Sequence, residues 1–536
     1  RRRGTESQYG DAEQAFQQAL AIHEKLRSEK SANLEFRDVL ADPHNNLAAL
    51  LLQTGHLPEA EKAFRQALAL RAQLAAEAPL VPSYQAALAD NHSNLGLVLQ
   101  NMRREADAER AYRDALVIQE KLAADQASVP QYRAVLGRTQ DKLGTLLTES
   151  GRLQEAEEAH RQGLVLHQKL AADFPDSPKY QSEFGATLHN LANLLDRRGD
   201  RVQARALYEQ AVARQQTVLE ADPHNPAYRR YLRNHYLMLG GLMARLGDVP
   251  EAERRFRQAV EVAEKLVADY PNVPENRQLL GGLYHDLAQL LRRDSNRLPQ
   301  AEDSYQHARA VREKLVAEQP ASAAYRDKLA ETLNHLGVLF RSTGRHAQAE
   351  ETYQRALSLR EKLAAEFPKN PDYQSDLGGV LSNLAMQLRD RGQLTEACRL
   401  LERAIACQRA ALKHSPQNPT YRQFLAKHYS VLGKTLIRQE KHGAAADVAA
   451  QLKSLKLREG GDSFDWFVLA MVHSQLGSKE EARKWYDQAV QWMEKNAPQD
   501  EELRRFGAEA AKLLGLPDAI KEGGVPKKEE RKSQSK

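Results

Sequence analysis

The chain has 536 residues, 42% of them hydrophobic and 6% aromatic, with 77 basic and 72 acidic side chains for a net charge of +5. So small an excess argues against a nucleic-acid partner, which calls for a concentrated basic face, and no apolar run approaches the ~18 residues of a membrane span. Leu, Ala, Gln, Glu and Arg dominate, which favours helices over strands.

An alanine followed four residues later by an aromatic or bulky residue recurs at Ala12, Ala60, Ala108, Ala156, Ala204, Ala252, Ala301, Ala349, Ala397 and Ala445. The spacing is even apart from one extra residue before Ala301, and a further copy at Ala482 follows after a shorter step. A fixed period of about 48 residues implies a stacked array of one supersecondary unit, each copy touching its neighbours. Residues 1–35 hold the second helix of a partial copy. They open on Arg1-Arg2-Arg3 with neither an initiating Met nor a signal peptide, so the chain reads as part of a longer polypeptide.

Long copies occupy residues 36–460. In the second, Pro43 falls inside the first helix and should kink or break it. The third shows the design: Pro82-Ser83-Tyr84 opens it with Ser83 placed to cap, and Leu88, Leu95, Val98 and Leu99 form one apolar stripe. After a polar turn, the second helix (106–124) puts Ala108, Tyr112, Ala115, Leu116, Ile118 and Leu122 on its inner face. Small residues at Gly96, Ala108 and Ala115 let the two helices approach. Prolines from Pro175 to Pro416 close second helices, and those from Pro82 to Pro419 open first helices. Phe36, Tyr84, Tyr132, Tyr180, Tyr228, Tyr325, Tyr373 and Tyr421 follow as packing plugs between copies. Cys398 and Cys407, nine residues apart on one helix, lie ~13 Å apart, too far for a disulfide; two reduced thiols suit the cytoplasm. Residues 461–498 form an ordinary short copy, 499–516 a capping helix, and 517–536 a disordered charged tail.

The pair Leu95-Gly96, the turn glycines Gly55, Gly151, Gly199, Gly247, Gly344 and Gly392, and the Ala-x-x-x-aromatic core resemble tetratricopeptide repeats. The usual unit has about 34 residues, and two extra turns on each helix account for the longer period here. Lengthened units closed by REKLAAEFP (Arg360 to Pro368) are similar to those of kinesin light chains. They are closer still to the repeat regions that follow the catalytic domain in some large bacterial serine/threonine kinases. The resemblance implies an all-α, right-handed solenoid of antiparallel helix pairs whose first helices line a concave, peptide-binding side.

Fourteen residues before each anchor, Asn46, Asn94, Asn190 and Asn383 hold the place where, by that resemblance, an asparagine contacts a peptide backbone; the other reading is that it satisfies a neighbouring helix. Asp42 and Asp90 stand where some members carry a carboxylate-gripping lysine, so that clamp is not reproduced. Near the ends of later first helices stand Arg197, Arg245, Arg292, Arg293, Arg341, Arg389 and Arg438. They form either a basic stripe for an acidic or phosphorylated partner or complements to the helix dipole. No kinase catalytic loop, DFG site, HExxH or Cys/His metal spacing occurs. His44, His92, His189, His285 and His335 recur on first helices as polar packing residues rather than ligands. These features lead to a non-catalytic protein-interaction scaffold with no cofactor and no metal. Its partner is a protein or peptide, partly acidic, and self-association is compatible with the surface. The alternative is the docking or regulatory arm of a serine/threonine kinase whose catalytic domain lies before Arg1.

Overall fold

The computed structural model describes residues 34–455, 463–475, 477–497 and 500–516. The partial first copy around Ala12 and the charged tail lie outside the described residues. Every regular element among the described residues is helical, and the chain divides into two compact units at Arg297/Leu298. The first holds α1 (Leu34–Gln53), α2 (Leu57–Glu77), α3 (Pro82–Asn101), α4 (Glu105–Asp125), α5 (Pro130–Glu149), α6 (Leu153–Asp173), α7 (Pro178–Arg198), α8 (Arg201–Ala221), α9 (Pro226–Leu246), α10 (Val249–Asp269) and α11 (Pro274–Leu291). The second holds α12 (Leu298–Glu318), α13 (Ala323–Ser342), α14 (His346–Glu366), α15 (Pro371–Asp390), α16 (Leu394–His414), α17 (Pro419–Arg438), α18 (His442–Ser454), α19 (Ser463–Gln475), α20 (Lys479–Asn496) and α21 (Glu501–Leu514). Within each unit, consecutive helices joined by tight turns pack as antiparallel pairs, an all-α solenoid arrangement. The last helix, α21, packs on both α19 and α20.

Local chemistry sets the boundaries. Pro82 itself, not Ser83, is the first residue of α3, and its N-cap Val81 makes no side-chain bond. A proline at the first helical position has no N–H to leave unsatisfied and already holds a helical φ, so the serine cap is not used. Before α9 and α17 the residue preceding the proline caps: Asn225 and Asn418 accept from the opening backbone N–H groups. The six turn glycines sit at φ between 73° and 95°. Arg103 (φ 60°) and Glu440 (φ 59°) hold the same left-handed turn position without glycine's freedom. Pro43 does not break α1, which runs through it. The cost of about 3 kcal/mol for an interior proline is opposed by burial of Ala41, Leu47, Ala48 and Leu51 on either side of it.

Within a pair, the anchor-plus-four aromatic lies over a small residue of the partner helix. Tyr112, Tyr208, Tyr305 and Tyr353 are fully buried. A Cβ added to Gly96 would come within 2.7 Å of the Tyr112 ring, and one on Gly337 within 2.7 Å of Tyr353. Between copies, the interface is partly polar. The inner face of α4 includes Gln119, while Ile118 is only half-buried. Seven residues after Tyr112 returns to the same side of a helix, and six does not. The equivalent position of other copies holds buried Arg71, His167, Gln215, Arg312, Arg360 and Gln408. Several reach the next copy's first helix: Arg71 donates to Ala87 O and Asn91 Oδ1, and Gln215 donates to Tyr228 O. On the outer side, turn arginines pair with the glutamate after the preceding anchor, as in Arg104–Glu61 (2.8 Å), Arg152–Glu109 (2.6 Å) and Arg345–Glu302 (2.6 Å).

The glycine–aromatic contact predicts a sharp asymmetry between two glycines of the second unit. Gly337→Val must displace the Tyr353 ring and should cost about 1–3 kcal/mol. Gly379→Ala, whose Cβ meets nothing within 4 Å, should be neutral or stabilise by up to about 1 kcal/mol. Urea denaturation of the two variants beside the parent measures both; equal effects would remove the contact from its structural role.

Candidate functional site

In the first unit α1 meets α3, α3 meets α5, α5 meets α7 and α7 meets α9; in the second α13 meets α15, α15 meets α17 and α17 meets α19. Successive even-numbered helices do not approach to that extent among the described residues. The odd-numbered helices therefore line the crowded, inner side of each unit, and the candidate residues are carried on them.

Side chains of one inner helix reach back to the preceding one. Lys142 Nζ donates to Ser93 Oγ at 2.9 Å, and Asn383 Nδ2 donates to Asn334 Oδ1 at 2.9 Å. Asn383 thus satisfies a neighbouring helix. Asn46 is exposed and Asn94 and Asn190 half-buried. Asp42 is the counter-ion of Arg71, whose Nη2 lies 2.7 Å from its carboxylate while the arginine is 7% exposed. Asp90 and Asn94 line a polar cavity of about 360 Å³ between α3 and α5, with Ser93, Arg138, Thr139 and Lys142. Asp90 keeps contact with water, yet protein crowds it from three helices. Burial pushes its carboxyl up, against the pull of Arg138, Lys142 and Arg71. Burial pulls the Lys142 ammonium down, and Arg138 adds to the effect.

The arginines do not form a single stripe. Arg197, Arg245 and Arg293 are exposed and occupy one register, nineteen residues after the prolines that open their helices. Arg341 and Arg389 stand one residue earlier in register, which turns them about 100° around the helix. Both are half-buried and both pair with Asp390, each at 3.2 Å. Arg389 is pulled down by burial, against the attraction of Asp390. Arg245 is held by Asp196 of the preceding inner helix, and Arg438 lies 3.7 Å from Glu509. Arg197 and Arg293 have no ion pair among the described residues. The structure brings together Asp90 with Asn94, Arg245 with Arg293 and Arg341 with Arg389, and leaves Asn46 and Asn190 apart.

Sequence reasoning missed a buried network centred on Asp141, whose Oδ1 lies 3.0 Å from His160 Nδ1. Thr187 donates to the other carboxylate oxygen and sits 2.7 Å from His167 Nδ1. His160 takes the place of the usual aromatic, and a Cβ on Gly144 would come within 2.7 Å of its ring; the visible signal was a histidine at the anchor-plus-four position. His189 and His235 also meet, Nδ1 to Nδ1 at 2.9 Å. Among the described residues no group of three or more His, Cys, Asp or Glu is placed to hold a metal, and no helix is long and apolar enough to cross a membrane. Cys398 and Cys407 are free, and burial pushes both thiols up.

A family model described as Tetratricopeptide repeat matches residues 45–75, 93–125, 136–178, 185–225, 329–371 and 378–419. Two more models of the same description match 466–496 and 234–258, so that over half of the chain is covered. No curated protein sequence matches the chain. Similar solved structures include BtubC (BKLC) from P. vanneervenii, 24% identical over 49% of this chain and 92% of that one, with a TM-score of 0.38. A STAND ATPase with a tetratricopeptide repeat sensor from Pyrococcus horikoshii is 15% identical over 74% of this chain and 55% of its own, with a TM-score of 0.43. A putative kinesin light chain repeat structure from Podospora anserina is 22% identical over 43% and 97%, with a TM-score of 0.30.

The buried histidines set a pH response. Burial pulls His189 and His428 from the ordinary 6.5 down to about 4, and burial with the nearby His189 holds His235 well below its ordinary value. An unfolded chain takes up these protons near pH 6.5 and the folded chain only near 4, so stability is full above 6.5 and lost as pH falls through that interval. Thermal unfolding followed from pH 8 to 4 should show this decline, and a His189→Gln, His428→Gln variant should flatten it. An unchanged slope in the variant would assign the decline to other groups.

Proposed function

Because the chain belongs to the tetratricopeptide repeat family, we propose that it is a non-catalytic protein–protein interaction scaffold. The inner faces of its odd-numbered helices take a peptide or partner protein. One observation carries this reading. The even-numbered helices spend their inner faces on packing, whereas the odd-numbered ones keep polar side chains such as Asn46, Asp90, Arg197 and Arg293 accessible on the inner side. The partner is acidic where it meets the later inner helices, since Arg197 and Arg293 lack ion partners of their own and charge complementarity favours carboxylates there. Toward α1 and α3 the partner is less acidic, because Asp42 and Asp90 stand among the cations. Self-association would use the same faces, and the cytoplasm, where free thiols persist, is the proposed location.

A second reading makes the array the docking arm of a serine/threonine kinase. It rests on the long copies closed by segments such as Arg360 to Pro368. The reading frame upstream of Arg1 tests it, since a kinase domain is either encoded there or not.

Capture of partners by the intact chain tests the main reading. An Arg197→Gln, Arg293→Gln variant should hold an acidic partner several-fold more weakly at low salt and show a shallower dependence of affinity on ionic strength. An Arg341→Gln variant, whose parent side chain is tied to Asp390, should change binding little. Equal retention by parent and double variant at low salt would reduce these arginines to complements of the helix dipole. Phosphotransfer from ATP by the purified chain would overturn the non-catalytic assignment.

A further inference from the structure

The polar cavity of about 360 Å³ between α3 and α5 is lined by an acid and a base that the array leaves unpaired. Asp90, Ser93 and Asn94 face it from α3, and Val135, Arg138 and Lys142 from α5. Steps of three and four residues put each set on one side of its helix. Arg71, which also lines the cavity, is committed to Asp42, and Arg138 to Glu183 of α7. Asp90 and Lys142 are left without an ion pair among the described residues, either with each other or with a third group. An ammonium has three N–H donors, and Lys142 spends one on Ser93 Oγ at 2.9 Å. Asn45 reaches the same cavity from α1, and its Oδ1 is buried with no donor among the described residues.

Neither charge is well compensated where it stands. Burial pushes the Asp90 carboxyl up despite the nearby cations, and burial with the like charge of Arg138 pulls the Lys142 ammonium down. Their mutual attraction does not offset the water each has lost, and a counter-charge brought to each would. The copies on either side carry Asn94 and Asn190 at the place of Lys142, so the packing of the repeat does not call for a lysine there. A simple anion would meet Lys142 but face Asp90. A simple cation would meet Asp90 but face Lys142, Arg138 and Arg71. A small molecule carrying both signs satisfies both sides of the cavity.

We propose that this cavity binds a free α-amino acid with a short side chain. Its ammonium donates to Asp90 and to Asn45 Oδ1, and its carboxylate accepts from Lys142 Nζ and Asn94 Nδ2. Within a peptide the same two groups are neutral amides, so an internal segment of a partner protein offers neither charge. The cavity stands at the lower end of small-ligand sites, which run from roughly 300 to 1,000 Å³. Its apolar lining is confined to Ala87 and Val135, so a side chain the size of alanine's or serine's fits and an aromatic one does not. Asp90 is exposed to water on one side, which gives a small solute its way in. The inference goes beyond the scaffold reading and does not depend on it.

Isothermal titration of the full chain with glycine, alanine, serine and threonine tests it, beside acetate, ethylamine and N-acetylalanine amide as controls. At least one of the amino acids should bind about tenfold more tightly than any control. Asp90→Asn and, separately, Lys142→Met should each weaken that binding by about tenfold or more. Lys142→Met should leave the unfolding temperature unchanged or raised, because an apolar chain of similar length replaces an uncompensated ammonium. If it lowers the unfolding temperature instead, Asp90→Asn decides, being an isosteric change at a residue in contact with water. Absence of binding by all four amino acids overturns the proposal. Acetate binding as tightly as the best amino acid overturns it too, and so does an amino-acid affinity that Asp90→Asn leaves unchanged. Capture of protein partners without amino-acid binding would sink this inference alone, and amino-acid binding without capture the scaffold reading alone.

Discussion

The close approach of a glycine or alanine on one helix to an aromatic ring on its partner is the contact on which the array depends. Tyr112 over Gly96 and Tyr353 over Gly337 leave no room for a side chain between the two backbones. The helices of a pair are thereby held near enough for their leucines to interdigitate, and the aromatic ring fills the space a longer separation would leave as a void. Because the contact returns with the sequence period, each pair is nearly the same body, and stacking such bodies buries a continuous core. Where the aromatic is replaced, the partner still yields: His160 occupies the ring position against Gly144, and its polarity brings in Asp141 as an acceptor.

Leucine against leucine would allow neighbouring pairs to slide, and the polar positions between copies oppose that. Arg71 reaches a backbone carbonyl and Asn91 of the next inner helix, and Gln215 accepts from Ser182 while donating to Tyr228 O. Buried donors and acceptors are costly when unmade, so each bond holds only in one register. The outer arginine–glutamate pairs, such as Arg104–Glu61 and Arg345–Glu302, add little energy individually because they are partly solvated. Their regular spacing ties each turn to the preceding second helix all the same. Stability and register are carried by different contacts in this fold.

Charge on the inner side is mostly spent within the array. Asp42 serves Arg71, Asp196 serves Arg245, and Asp390 serves both Arg341 and Arg389. What remains uncommitted is sparse and local, which is why a near-neutral chain can still offer a selective surface.

Period, helix type, turn positions and the small-residue–aromatic contact were legible in the residues alone, because each follows from local backbone preference or from spacing along one helix. Gly55, Gly151 and Gly199 announce left-handed turns wherever they stand, and an anchor returning at a fixed interval announces a stack. The fates of the candidate site residues were not legible. Asp42 stood at the place of a carboxylate-gripping lysine and is the partner of a cation 29 residues away; Asn383 could equally have met a peptide or a neighbouring helix, and it is bonded to Asn334 of the preceding copy. Arg341 and Arg389 looked equivalent to Arg245, yet a one-residue offset turns them toward Asp390. Those outcomes depend on which side chain of one copy meets which of the next, and that is decided by the rotation and spacing of packed helices rather than by distance along the chain.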